Sequence, residues 1–135
     1  MQKRKTNLAS VASDVKLKPE DGWVDLDVKW LVDKNRLGSK NACLGRTIFA
    51  PGGRSAHQMH VHPHAEEILY VIRGRLEYII DGEKIFLGPE EICYVPANVP
   101  HGCKNVSTTE LCEVIFVYAG APSLEEAGYV EVPEA

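Results

Sequence analysis

No apolar run in this sequence approaches the ~20 residues a helix needs to cross a bilayer. No continuous apolar segment follows the basic start Lys3-Arg4-Lys5, so neither a membrane span nor a secretory leader is expected. Basic residues are the minority: 15 Lys and Arg against 19 Asp and Glu leave a formal charge of −4. That balance argues against a nucleic-acid partner, which would require a basic face, and Lys3-Arg4-Lys5 is read as a solvated tail. The four cysteines, Cys43, Cys93, Cys103 and Cys112, form no C-x-x-C pair and no zinc-finger spacing. They are read as small buried hydrophobes rather than a disulfide framework. These absences leave a cytoplasmic protein as the expectation. Internal repeats, low-complexity segments and long amphipathic helices are missing too, which removes solenoids, disordered linkers and helical bundles.

The chain does contain many short apolar stretches separated by turn residues. Its 135 residues suit one domain with a core of its own. From Trp23 to Val32 apolar and charged residues alternate, with Val24, Leu26, Val28 and Trp30 on one face and Trp23 out of phase. Ala42 to Ala50 reads as a second strand, ended by Pro51-Gly52-Gly53. Glu67 to Ile72 is rich in β-branched and aliphatic residues. Leu76–Ile80 and Lys84–Leu87 flank Asp81-Gly82, the signal of a type I′ hairpin. Ile92–Val95 and Leu111–Tyr118 complete the clear strands. Pro122 to Gly128 suits one helical turn, with Ser123 as its cap. Roughly seven to nine short strands at this spacing predict an all-β sandwich or barrel. The expected layout is an N-terminal arm or edge strand over 1–21, a barrel over 22–121 and a C-terminal tail over 122–135.

All five histidines are His57, His60, His62, His64 and His101, and four of them fall within eight residues, followed at once by Glu66 and Glu67. Imidazole with carboxylate is a donor set that divalent transition metals favour. In an extended segment alternate side chains share a face. Gln58, His60 and His62 then point one way, and His57, Met59 and Val61 the other. Pro63 interrupts the strand. Beyond it Glu67, Leu69 and Val71 share a face, opposite Ile68, Tyr70 and Ile72. If His60 and His62 face a barrel interior, Glu67 joins them from a neighbouring strand. His101 follows the rigid turn Pro96-Ala97-Asn98-Val99-Pro100, which can fix an imidazole in place.

The stretch His60-x-His62-x4-Glu67-x6-Gly74 resembles the first signature of the cupin superfamily, G-x5-H-x-H-x(3–4)-E-x6-G, with Gly53 one residue off the opening glycine. Pro96-x-Asn98-x2-His101-x3-Asn105 resembles the second signature, G-x5-P-x-G-x2-H-x3-N. Two glycines of that pattern are replaced, by Glu90 and by Asn98. Asn tolerates left-handed backbone, and Glu90 is read as a loop change. The resemblance implies a jelly-roll barrel, a small single-domain cupin, with His60, His62, Glu67 and His101 as ligands of one divalent transition metal (Mn, Fe, Ni, Co or Zn). With three neutral imidazoles and one carboxylate, the centre carries about one positive charge, and an octahedral ion keeps two open positions.

Gln58 and Glu67 are the catalytic candidates. Gln58 lies on the ligand face, where it reads equally as a group that bonds substrate or as a polar residue at the barrel mouth. His57 and His64 are expected to stand aside, in structural or surface roles, and Glu66 to face solvent or pair with Arg73 or Arg75. Tyr70 is three residues from Glu67 and points away from the interior. Tyr78, Phe86, Phe116 and Tyr118 are read as core or pocket wall. The expected function is a metal-dependent enzyme of the dioxygenase, decarboxylase or lyase/isomerase type. Its expected substrate is a small molecule, a carboxylate or enolisable acid. The alternative is a cupin that binds a metal or small ligand without turnover. The apolar outer face Ile68, Tyr70, Ile72 suggests a homodimer.

Overall fold

The computed structural model describes residues 3–133. Two antiparallel sheets face each other. The first contains β1 (Trp23–Val24), β4 (Ala56–Val61), β9 (His101–Lys104), β6 (Leu76–Ile80) and β7 (Glu83–Leu87), in that spatial order, and β11 (Val130–Glu131) also pairs with β4. The second is β2 (Leu26–Val32), β3 (Ala42–Phe49), β10 (Cys112–Ala119), β5 (Glu66–Arg73) and β8 (Ile92–Val95). The chain passes repeatedly between the sheets, which is the jelly-roll arrangement. The core between them is formed by Val28, Phe49, Leu69, Val71, Leu76, Tyr78, Val95, Val114, Phe116 and Tyr118.

Alternation explains the second sheet well. In β10, Cys112, Val114, Phe116 and Tyr118 are buried, while the residues between them are half-exposed. In β5, Glu67, Leu69 and Val71 are buried, while Ile68, Tyr70 and Ile72 are exposed, as the period of two requires. The hairpin forms as expected: Asp81 (φ 50°) and Gly82 (φ 82°) both take the left-handed conformation of a type I′ turn. Ser123 caps a short helix, α1 (Leu124–Ala127), by accepting a hydrogen bond from the Glu126 amide. All four cysteines are buried free thiols.

Two expectations are corrected, at residues 23–32 and at Phe86. The stretch 23–32 is two strands, because Asp25 sits at φ 53° and breaks the phase. That break turns Trp23 inward, onto the same side as Val28. Residues 3–21 precede β1. They carry two short 3₁₀ turns and pack along β2, with the Asp14 amide donating to Val28 O and Trp30 Nε1 donating to Asp14 Oδ2, both at 2.8 Å. Within residues 122–133, α1 docks on the loop after β4 and β11 pairs with β4. Phe86, read as core or wall, is 55% exposed on the outside of β7.

Both positions where glycine is replaced keep a left-handed backbone, Glu90 at φ 69° and Asn98 at φ 63°. Glu90 follows Pro89 in a turn closed by the Glu91 amide on Gly88 O, the type II pattern that favours glycine at its position. Asn105 is fully buried. Its Nδ2 reaches the carbonyls of Phe49, Ala50 and Glu110 at 3.2, 3.3 and 2.9 Å, and its Oδ1 accepts from the Ser107 amide.

Candidate metal centre

His60 and His62 lie at the end of β4 and just beyond it, His101 opens β9, and Glu67 lies in β5. All four side chains are buried, and one donor atom from each falls within 4.8 Å of the others. Glu67 reaches the cluster across the barrel from the opposite sheet, not from a strand beside β4. His60 and His101 are direct partners across the β4–β9 pair.

The orientation of each imidazole is set by the nitrogen that faces away from the cluster. His60 Nδ1 lies 2.6 Å from Gln58 O, His101 Nδ1 lies 2.9 Å from Val99 O, and His62 Nδ1 lies 2.6 Å from Gly128 O. A carbonyl only accepts, so each Nδ1 carries the proton and each Nε2 of a neutral ring presents its lone pair to the centre. There His60 Nε2 and His62 Nε2 stand 3.1 Å apart. Glu67 Oε1 is 3.0 Å from His101 Nε2 and 3.4 Å from His62 Nε2. Three lone pairs and a carboxylate oxygen directed at one another repel unless a cation or proton sits among them. The donor set fits a divalent transition metal, and the carbonyl partners provide the outer support such ligands use.

The electrostatics agree. Burial acts to raise the Glu67 carboxyl, but the His101 and His62 rings beside it outweigh that effect and hold the group well below the usual carboxylate range, so it stays charged. Burial pushes His60 and His57 well below the usual imidazole value, and neighbouring imidazoles add to the effect. At His101 burial acts downward, yet the adjacent Glu67 carboxylate prevails and raises it. Burial, then the Glu67 charge, pushes the phenols of Tyr78 and Tyr118 well up. Those side chains are therefore neutral wall groups rather than bases.

His57 is not on the outer face. The β4–β9 register shifts between His57 and His60: three steps along β4 match two along β9, from Cys103 to His101. This extra residue is a β-bulge, and it re-aims the side chains before it. The His57 ring stacks on His60 at 4.0 Å and lies 3.9 Å from Trp23. Its Nε2 is buried without a hydrogen-bond partner. Gln58, in the bulge, is committed elsewhere: its Nε2 donates to Tyr129 Oη at 3.3 Å and to Asp21 O at 3.4 Å. His64 is exposed. Glu66 is exposed and accepts from the Tyr94 hydroxyl rather than from an arginine, and Arg73 pairs with Glu113.

Tyr129 is the residue that sequence reasoning missed. Its ring stacks parallel to His57 at 5.5 Å and sits 4.8 Å from His60 and 5.4 Å from Trp23. Only its place just after a capped helical turn hinted at order there. Next to Glu67 the interior leaves a cavity of about 20 Å³, lined by Trp23, His57, Leu69, Tyr78, Phe116 and Tyr118 among others. That is room for about one water.

The fold is a jelly-roll barrel with three imidazoles and a carboxylate turned into its interior, a donor set that could hold a metal ion. The chain matches the Cupin domain family over residues 45–118, more than half its length, and it belongs to the cupin family. Polyketide synthase CurC of Streptomyces cyaneus is 32% identical over 96 residues, covering 71% of this chain and 61% of that protein. Oxalate oxidase GF-3.8 of Triticum aestivum is 32% identical over 108 residues, covering 74% of this chain and 46% of that one. The chain thus spans about three fifths of the first and under half of the second. Among solved structures, the polyketide cyclase RemF from Streptomyces resistomycificus superposes with a TM-score of 0.77 at 18% identity, covering 98% of this chain and 87% of that one. That likeness is one of fold. No helix among the described residues is long and apolar enough to cross a membrane.

Proposed function

We propose that this cupin is a metal-dependent enzyme that acts on a small carboxylate or enolisable acid, with His60, His62, Glu67 and His101 holding one divalent transition ion. The observation that carries the reading is the convergence of those four buried donors within 4.8 Å. Bound there, the ion supplies Lewis-acid or redox chemistry, of the dioxygenase, decarboxylase or lyase/isomerase type. Three neutral rings and one carboxylate leave a net positive centre, which selects an anionic oxygen ligand. The chain does the rest. Leu69, Phe116 and Tyr118 exclude bulk water. Trp23 and Tyr129 cover the histidine face. The free Nε2 of His57 offers a hydrogen bond to a polar atom of the substrate. Gln58 serves as a strut for Tyr129. Two relatives support oxygen-rich substrates, since one is named an oxalate oxidase and the other a polyketide synthase protein.

The size of the interior favours a second reading, a cupin that binds a metal or a very small ligand without turnover: about 20 Å³ admits little more than one water. Turnover assays of the metal-loaded protein with oxalate and with β-keto acids separate the two. Product formation that disappears in His57→Ala, with metal retained, supports the enzyme. Absence of turnover with every acid, alongside stoichiometric metal, supports the binder.

We further propose a homodimer through the outer face of β5 and β8. Ile68, Tyr70, Ile72, Ile92 and Tyr94 are exposed there, and Ile68–Tyr94 and Tyr70–Ile92 are cross-strand partners. Together they form one apolar patch suited to a second copy. A monomer at micromolar concentration by light scattering would contradict it.

A further inference from the structure

His60 and His101 are each oriented by a carbonyl two residues earlier in the chain, Gln58 O and Val99 O. His62 is the exception. Its Nδ1 bonds Gly128 O, 66 positions downstream. We propose that the segment Gly128–Val132 is a component of the metal centre, with Gly128 as the positioning residue that holds His62 in its ligating orientation. The inference rests on the metal reading above and adds that ion binding and docking of this segment are one coupled event.

Several independent contacts place the segment. The short helix α1 is capped by Ser123, and its last residue, Ala127, is fully buried. The loop after β4 binds it twice: the His64 amide donates to Ala127 O at 2.9 Å, and His62 Nδ1 donates to Gly128 O at 2.6 Å. Gly128 itself has φ 84° and ψ 148°, close to a backbone region that is essentially glycine's alone. A Cβ there would stand 2.7 Å from Pro63 Cδ, in the residue next to His62. Any side chain at 128 therefore pushes on the ligand's own neighbour while turning the carbonyl away.

Beyond Gly128 the chain stays on the ligand half of β4. Val130 pairs with Val61 and Glu131 with His60, and the Val132 amide donates to Met59 O at 3.1 Å. Tyr129 lies across His57 and His60, and its hydroxyl donates to Asp21 O at 3.2 Å. A segment that orients a ligand only when docked binds better when the ion is present, and the ion binds better when it is docked. Linkage makes the two effects equal.

The test is Gly128→Ala in the full-length chain, with Co(II) affinity measured by chelator competition and the Co(II) visible spectrum recorded alongside. Loss of an outer-shell partner predicts binding about 10–100-fold weaker and shifted ligand-field bands. Gly82→Ala is the control. It also places alanine at positive φ (82°), at a hairpin tip with nothing within 4 Å of the added Cβ, and it leaves affinity and spectrum unchanged. If Gly128→Ala binds with wild-type affinity and spectrum while the wild type takes up one ion, this inference fails and the metal reading stands. If the wild type binds no ion, both fail. Should Gly128→Ala not fold, hydrogen exchange of the wild type decides. Amides 128–132 gain at least about tenfold protection on Co(II) addition beyond any gain in β7, in keeping with reciprocal linkage. An equal gain in both overturns the proposal.

Discussion

The pairing of β3 with β10 and the pairing of β4 with β9 show two ways of building a sheet in one small barrel. β3 and β10 match over eight consecutive positions with no shift, and every second side chain of β10 enters the core. β4 and β9 match at three positions, with an extra residue in β4 between His57 and His60. The outer edge of β4 is shared by two short strands from opposite ends of the chain, β1 on its first half and β11 on its second. Three of the four candidate ligands belong to the interrupted region or its borders, and Glu67 alone comes from the sheet of β3 and β10. Regular pairing buries apolar surface efficiently, whereas an interrupted strand can aim two successive groups at one point. The core strands thus provide rigidity, and the bulged pair provides the geometry of the site.

Separate variants should break this division at either half. His62→Ala is expected to have the largest effect, a loss of ion affinity on the order of 10³-fold or more, about 4 kcal/mol. Leu69→Ala, in the regular sheet, should do the reverse: unfolding free energy falls by about 2–5 kcal/mol, while the stoichiometry of ion binding stays at one per chain. Asn105→Ala strands several buried carbonyls where the second signature ends. It is expected to lower stability by about 1–3 kcal/mol, read by urea unfolding, without changing the Co(II) spectrum.

Smaller effects sharpen the comparison at the edges. Glu90→Gly relieves a left-handed glutamate in the Gly88–Glu91 turn, and stability should rise by about 0.5–1 kcal/mol, measured by thermal melting. Glu77, on the outside of β6, is held below the ordinary value of 4.5 chiefly by Lys84 at 2.8 Å, with Lys104 adding at 3.5 Å against the effect of burial. A carboxyl lowered in the folded state stabilises fully above its unfolded value and loses that contribution as pH falls through the folded one. Glu77→Gln should therefore remove a few tenths to about 1 kcal/mol at pH 7 and nothing once the pH is below both values. Urea midpoints across that range measure the difference.

What the sequence made legible follows the same division. Period-two alternation requires uninterrupted strands, so it separated the buried from the exposed face of β5, while β3, β10 and the I′ hairpin were legible from composition and turn residues. The convergence of the four candidate ligands was visible as well, but through motif spacing, which survives a bulge because it counts residues and not directions. Directions were lost where the phase broke. Asp25 turned Trp23 inward, and the bulge turned His57 inward and committed Gln58 to Tyr129, although strict alternation assigned each the opposite role. Strand β9 was unread because four residues beginning His-Gly carry no alternation of their own. Tyr129 and Gly128 were out of reach for a different reason: they meet His62 and His60 only through tertiary pairing across more than sixty residues, and nothing local marks that contact. Asn98 keeps the left-handed backbone that its residue type allows, whereas Glu90, read as a loop change, keeps the glycine conformation as well.

The central claim is that four buried side chains exist to hold one ion. Elemental analysis of the purified, reconstituted protein tests it most directly, beside Glu67→Ala prepared in the same way. The account predicts close to one equivalent of a divalent transition metal per wild-type chain and a small fraction of that in the variant. A wild type with no stoichiometric metal after reconstitution, or a variant that retains as much as the wild type, would contradict it.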